Sequence, residues 1–82
     1  MAAYTSIRTP IENYVIEKVK EMRVAEGLSQ RKIADYLHVK PAFIGNIESP
    51  KRGEKYSLNH LNELSKLFDC SPRDFLPENP IY

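Results

Sequence analysis

The stretch LSQRKIADYLHVKPAFIGNIES, residues 28–49, has the pattern of two short helices joined by a turn. Ser29 is placed to cap the first helix, because a Ser side chain can accept a hydrogen bond from the first turn. His38 falls where the turn is needed, and His tolerates a positive φ better than most residues. The second helix is predicted from about Pro41 to Ser49, since Pro suits a first helical position. The apolar residues recur at helical spacing in both segments: Ile33, Ala34 and Leu37, then Phe43, Ile44 and Ile47.

Three further helices are predicted around this pair. Thr9 opens a capped helix whose apolar residues are spaced three or four apart, and Gly27 is placed to end it. Ser57 caps a fourth helix, and Ser71 followed by Pro and an acid opens a fifth that ends at Leu76. No segment alternates like a strand, so the predicted fold is an all-α, compact five-helix bundle. The predicted inward faces are Ile11, Val15, Val19 and Met22 on the first helix and Leu58, Leu61, Leu64 and Phe68 on the fourth.

The size of the chain predicts one domain. Its 82 residues can bury a single modest core, and neither a signal peptide nor a membrane-length apolar run is present. The predicted organisation is a flexible N-terminal arm over residues 1–8, a helical domain over 9–77 and a C-terminal tail over 78–82. One cysteine, Cys70, cannot form an internal disulfide, so a reducing, cytoplasmic setting is expected.

Positive charge is concentrated in the middle of the chain. The net charge is only +1, yet residues 31–55 carry six basic and three acidic side chains. The rest of the chain therefore carries six bases and eight acids. A near-neutral protein of this kind can still present one basic face, although a solvated surface often shows the same local excess.

Residues 19–49 resemble the helix-turn-helix of the Cro/C1-type (lambda-repressor-like, XRE) DNA-binding family. The later helical pattern SLNHLNELSKLFDCSPRDFL fits the same family, so the resemblance covers about residues 11–76. It implies a helix-turn-helix formed by helices 2 and 3, and an ion pair between Arg23 and Glu48. The matching residues are Met22, Arg23, Gly27–Gln30, Ile33, Ala34, Leu37, Val39, Ile44, Ile47 and Glu48.

The packing needed for such a motif can be stated independently of the resemblance. Helix 2 must cross helix 3 at a steep angle, so a small residue is needed at the crossing, and Ala34 stands there. An apolar wedge then fixes that angle and leaves the outer face of helix 3 free to enter a major groove. We expect the wedge to consist of Ile33, Leu37, Val39, Ile44 and Ile47, backed by Val19, Met22 and Leu28.

The predicted DNA contacts fall into two sets. Asn46 is the residue equipped to hydrogen-bond a base edge, with adenine as its natural partner, and Ala42 could touch a thymine methyl. Phe43 could either plug the core or stand at the groove wall, while Gly45 could allow either DNA or another helix to approach closely. The base-reading set is Lys40, Ala42, Phe43, Gly45 and Asn46. The phosphate set is Ser29, Gln30, Arg31, Lys51, Arg52 and Lys55, and each of its side chains could instead be merely solvated.

An enzyme is the least supported class, because the chain has no catalytic triad order and no phosphate-cradling glycine loop. No cofactor is implied, and His38 and His60 are too far apart to begin a metal site. The leading hypothesis is a sequence-specific regulator of transcription that binds double-stranded DNA, most simply a cytoplasmic repressor. The alternative is a protein-interaction or antitoxin-like module on the same scaffold. Tight operator binding would need a homodimer, for which a surface of Phe75, Leu76, Ile81 and Tyr82 is predicted.

Overall fold

The computed structural model describes residues 7–82 and contains four α-helices and a short 3-10 helix. The five-helix count is therefore not confirmed, because the last segment makes only a single 3-10 turn of four residues. Leu76 after it is extended, as expected for a residue before a proline. Among the described residues, no helix is long and apolar enough to cross a membrane. The bounds are α1 Pro10–Ala25, α2 Gln30–Leu37, α3 Pro41–Glu48, α4 Leu58–Phe68 and the 3-10 helix Pro72–Phe75.

The starts of α1, α2, α4 and the 3-10 helix are fixed by side-chain capping bonds, whereas α3 begins at Pro41 without one. At α1, Thr9 Oγ1 accepts from the Glu12 amide and the Glu12 carboxylate accepts from the Thr9 amide, which closes a capping box. Ser71 and Asp74 close the same box at the 3-10 helix. Ser29 Oγ accepts from the Lys32 amide and caps α2. Each capped start is therefore determined by residues within three positions of one another.

Two tight turns bracket α2. Gly27 has a φ of 70° after the end of α1, a conformation that glycine adopts without steric cost. His38 adopts the left-handed conformation with a φ of 60°, as predicted for the turn of the motif. The amide of Val39 then donates to the Ala34 carbonyl and returns the chain toward α3. This turn sets where α3 can begin.

The crossing of α2 and α3 forms the centre of the core. Ala34 is fully buried at this crossing, as its small size predicted. The predicted wedge is present: Ile33, Leu37, Ile44 and Ile47 are buried, and Val39 packs against them. Val19 is also fully buried, with Met22 and Leu28 partly buried beside it. The orientation of α3 is thus held by close-packed side chains that resist changes in volume.

Three assignments at the core margin are wrong. Ile11, predicted to face inward from α1, is 43% exposed. Leu58, predicted to face inward, begins α4 and is 82% exposed. Phe75, predicted to lie on a dimer surface, is fully buried and packs edge-to-face against Phe68 with ring centroids 6.2 Å apart. A residue that closes the core of one chain cannot contribute to an interface between two chains without unfolding that end.

An aromatic cluster joins α3 to the start of α4. The His60 ring packs edge-on against Phe43, with centroids 5.7 Å apart, and against Tyr56 at 6.2 Å. His60 Nδ1 also accepts a hydrogen bond from the Ser57 amide, so the neutral ring completes the capping box of α4. Burial lowers the pKa of His60 below its usual 6.5. A charged ring here would lose the acceptor and would oppose the helix dipole.

We predict that this cluster makes the stability of the fold fall between pH 7 and pH 5. Because the folded-state pKa of His60 is lowered, its stabilising contribution is full above the unfolded-state pKa of 6.5 and is lost as the pH falls through the folded value. Thermal melting of the wild type and of His60→Gln at pH 7 and pH 5 measures the effect. The melting temperature of the wild type should fall more than that of the variant. Equal decreases would exclude His60 as the source.

Candidate nucleic-acid interface

The end of α3 is tied to α1 by a nearly buried ion pair. Arg23 donates through Nε and Nη2 to the two carboxylate oxygens of Glu48, both at 2.9 Å. Its Nη1 donates to the Leu28 carbonyl at 2.8 Å. The side chains of Arg23 and Glu48 are only 12% and 4% exposed. Two parallel bonds at this burial fix distance and angle together, so the pair orients α3 as well as holding it.

Gln30 is drawn into the same network. Its Nε2 donates to Glu48 Oε1 at 2.9 Å, so one amide hydrogen is committed inside the protein. Gly45 lies beside it, since a Cβ built on Gly45 would be 3.4 Å from Gln30 Oε1. The space left by the missing side chain therefore borders the first residue of α2. A phosphate contact by Gln30 stays a prediction and would have to use the remaining polar atoms of its amide.

The first turn of α3 is open to solvent. Lys40 is its N-cap residue but makes no side-chain capping bond, and Pro41 and Ala42 are exposed. Phe43, by contrast, is partly buried against the core and turns its ring toward His60. Of the two alternatives for Phe43, the structure therefore shows the ring packed toward the core and α4, and a base contact by Phe43 stays a prediction. The outward residues of the set are Lys40, Ala42, Gly45 and Asn46.

Asn46 does not stand alone on that face. Its Nδ2 donates to Glu54 Oε2 at 2.9 Å, and Arg52 Nη2 donates to the same oxygen at 3.0 Å. Arg52 Nε lies 3.3 Å from Glu54 Oε1 and completes a fork. The hydrogen bonds from Arg52 are the largest cause of a lowered pKa for Glu54, which keeps that carboxylate charged. The Asn46 amide, which is predicted to read bases, and Arg52 of the loop therefore share the Glu54 carboxylate, which the sequence patterns did not indicate.

The other residues predicted to contact DNA phosphates differ in their surroundings. Lys55 Nζ donates to Glu12 at 2.7 Å, so its charge is drawn to the start of α1. Hydrogen bonding to Lys55 is also the largest cause of the lowered pKa of Glu12. Arg31 and Lys51 are exposed, and neither has an ion pair within residues 7–82. Of the three bases in the loop after α3, Arg52 and Lys55 are therefore paired with acids, and Lys51 is not paired in the part that the structure describes.

Arg8 is a buried anchoring residue that the sequence patterns did not indicate. It was assigned to a flexible arm, yet it is only 3% exposed. Its guanidinium donates to the carbonyls of Asn46 and Ser49 at 3.0 Å and of Glu54 at 2.7 Å. The last turn of α3 has no basic residue of its own, so Arg8 supplies the positive charge that a helix C-terminus favours. Residues 1–6 of the predicted arm lie outside the described residues.

The predicted dimer surface is partly accessible. Leu76 and Ile81 are 42% and 41% exposed, and Tyr82 is fully exposed. Ile81 borders a shallow hollow along α1 that also includes Pro10 and Tyr14, so the tail runs beside that helix. With Phe75 excluded, Leu76, Ile81 and Tyr82 remain as the exposed apolar group at this end of the chain.

The HTH_3 family model, described as helix-turn-helix, matches residues 19–75. The chain belongs to this Cro/C1-type family. A search of curated proteins found no significant match to this helix-turn-helix protein. The restriction-modification controller protein C.AhdI from Aeromonas hydrophila is 27% identical, with a TM-score of 0.63 over 77% of this chain and 92% of that chain.

A second solved structure shows the fold alone. The hypothetical transcription factor NHTF from Neisseria is 13% identical, with a TM-score of 0.69 over 94% of this chain and 85% of that chain. Together with family membership, the C.AhdI likeness supports a DNA-binding regulator of transcription. The matched segment contains the α2–α3 unit and the Arg23–Glu48 pair of this helix-turn-helix protein.

We predict that Arg8→Ala destabilises the fold by about 2–3 kcal/mol, because hydrogen bonds from a charged donor to three nearly buried carbonyls are lost. Urea denaturation gives the free energy of unfolding. Arg73→Ala, which removes an exposed arginine from the 3-10 helix, is the control and should change it by less than about 0.5 kcal/mol. An Arg8→Ala variant as stable as this control would show that the three bonds contribute nothing.

Proposed function

We propose that this protein is a sequence-specific, double-stranded DNA-binding repressor whose α3 lies in the major groove. The observation that carries the proposal is the α2–α3 unit. Its crossing is fully packed at Ala34, and its far end is fixed by the Arg23–Glu48 pair, while the first turn of α3 is left exposed. A rigid helix with one exposed face suits insertion into a groove. The role is binding without catalysis, in the cytoplasm.

The residues on the outward face of α3 would contact the bases. Asn46 is the hydrogen-bonding residue of that face, and an amide matches the N6 and N7 edge of adenine. Ala42 is exposed one turn earlier and offers a methyl group for contact with thymine. Lys40, at the entrance to α3, reaches either a guanine or a phosphate. Gly45 removes a side chain where the backbone would approach DNA.

Phosphate contacts surround this face. Lys51 and Arg31 are exposed bases without an ion pair in the described part of the chain. Ser29 and Gln30 stand at the start of α2, where backbone amides and the helix dipole favour an anion. Arg52 and Lys55 contribute only by leaving their carboxylate partners, at a small cost because both pairs are solvent-exposed.

Two substitutions separate the contact classes. Asn46→Ala should relax base preference at one position of the site, because a base-edge contact is lost. Lys51→Ala should lower the affinity for every DNA sequence about equally. Lys51→Ala should also reduce the slope of log affinity against log salt by about 0.9, the value for one phosphate contact. Titration of a selected duplex and a random duplex at several salt concentrations measures both effects. The exposed Lys20 of α1 provides the control variant, Lys20→Ala.

The same titration tests the alternative function. If the wild type binds no duplex even at low salt, the DNA proposal fails and the protein-interaction or antitoxin-like module takes its place. If it binds but selects no sequence above bulk DNA, specific regulation fails and an architectural role remains. A reversed pattern for Asn46→Ala and Lys51→Ala would show that the two contact classes are interchanged.

We also infer a homodimer that binds paired half-sites, because a single domain of this size offers a small DNA interface. The exposed apolar group formed by Leu76, Ile81 and Tyr82 supports a contact at the C-terminal end. These side chains are large, and all three lie within the last seven residues of the chain.

We predict that Leu76→Glu converts a dimer to a monomer, because a charge would be placed within the apolar contact. Sedimentation with and without the selected duplex measures the mass of the species. Val24→Glu is the matched control, since Val24 is 59% exposed near the end of α1. A dimer that withstands Leu76→Glu, or that Val24→Glu disrupts, would place the interface elsewhere.

A further inference from the structure

The carboxylate of Glu54 occupies an unusual place for a DNA-binding surface. It lies at the end of the loop that follows α3 and accepts from Asn46 of the reading face and from Arg52 of the loop. An acid among DNA-facing groups repels phosphates, so its presence needs a reason. The Glu54 side chain is 26% exposed and that of Arg52 is 54% exposed, so both remain accessible to a ligand.

We propose that Glu54 is a specificity-determining positioning residue, which orients the Asn46 amide for base reading and withholds Arg52 from phosphates. The inference deepens the proposed function and rests on it. On this proposal, Glu54 lowers the non-specific affinity for DNA and increases the discrimination between bases.

The orienting role follows from hydrogen-bond chemistry. An ionised carboxylate can only accept, so the Asn46 amide must present Nδ2 to Glu54 and cannot adopt the flipped orientation without placing oxygen against oxygen. One amide hydrogen is used in this contact. Asn46 keeps Oδ1 and one further hydrogen, which are the acceptor and donor that the N6 and N7 edge of adenine requires. Without Glu54, both orientations of the amide become available and base preference is blurred.

The position of Glu54 is itself secured by Arg8. The Arg8 guanidinium donates to the Glu54 carbonyl and to the Asn46 carbonyl, so the main chains of both residues are held by one rigid, nearly buried group. Because this contact uses backbone oxygens, a change of the Glu54 side chain leaves it intact. Glu54 variants therefore keep the loop anchored and isolate the effect of the carboxylate.

The withholding role follows from charge. Arg52 forms a fork on Glu54, so the pair adds almost no net charge to the surface. An exposed pair is weak and is screened by salt, so Arg52 can exchange its carboxylate for a phosphate at a cost. Removal of the carboxylate frees a cation for every sequence alike, which raises non-specific binding and does not improve discrimination.

The test uses the full chain and the duplex that the wild type selects from random DNA. Glu54→Gln removes the charge at nearly constant size, and Glu63→Gln is the matched control because Glu63 forms an exposed ion pair with Lys66 on α4. Dissociation constants are measured on the selected duplex, on its single-base variants and on a random duplex at several salt concentrations. Thermal melting verifies that each variant is folded.

Glu54→Gln should bind the random duplex several-fold more tightly, with a salt slope steeper by about 0.9. It should lose about tenfold in discrimination at the base pair where Asn46→Ala also loses it. In the Asn46→Ala background, Glu54→Gln should change discrimination no further, since it acts through that amide. Glu63→Gln should match the wild type.

A readout without DNA completes the test. The side-chain amide resonances of Asn46 should shift in Glu54→Gln and not in Glu63→Gln. Unshifted resonances, or Glu54→Gln discrimination equal to that of the wild type on a duplex the wild type selects, would overturn this inference alone. A wild type that binds no duplex would instead overturn the proposed function, and this inference with it.

Discussion

The ion pair between Arg23 and Glu48 is the contact on which the orientation of α3 depends. An eight-residue helix is too short to hold itself in place, and α3 has neither a side-chain cap at its start nor a base in its last turn. Its direction must therefore come from outside. The buried wedge fixes its angle to α2, and the Arg23 fork fixes its far end to α1. With Gln30 as a third member, the network also joins the start of α2 to the same carboxylate.

Ion pairs reduce the positive charge that the basic stretch of residues 31–55 presents to solvent. The sequence concentrates bases in residues 31–55, but two of the three loop bases meet acids, Arg52 at Glu54 and Lys55 at Glu12. Such exposed pairs contribute little to stability. We expect a larger effect on the proposed DNA binding, because each pair lowers the positive potential that a phosphate backbone would meet. A net charge of +1 and a weakly basic surface suit the proposed sequence-specific binding, because they keep non-specific affinity for bulk DNA low.

The sequence predicted features whose causes are local. Helix starts at Thr9, Ser57 and Ser71 depend on residues three positions away, and the buried wedge follows from helical spacing, so both could be found by pattern. The predictions of burial and of contacts failed at residues whose surroundings depend on distant parts of the chain. Leu58 has helical spacing but lies in a first turn that nothing covers, whereas Arg8 and Glu54 act through contacts up to 46 residues apart in the chain. No periodicity reports such contacts.

Arg8 immediately precedes Thr9, the cap of α1, while its guanidinium holds the carbonyls that end α3 and begin the following loop. The first helical turn of the domain and the segment proposed to face DNA are therefore parts of one cooperative unit. Fraying of the chain near its beginning would loosen the loop of residues 49–54 at the same time, even though α1 itself need not touch DNA. A change at the start of this domain would thus be transmitted through Arg8 to the end of α3 and the loop that follows it.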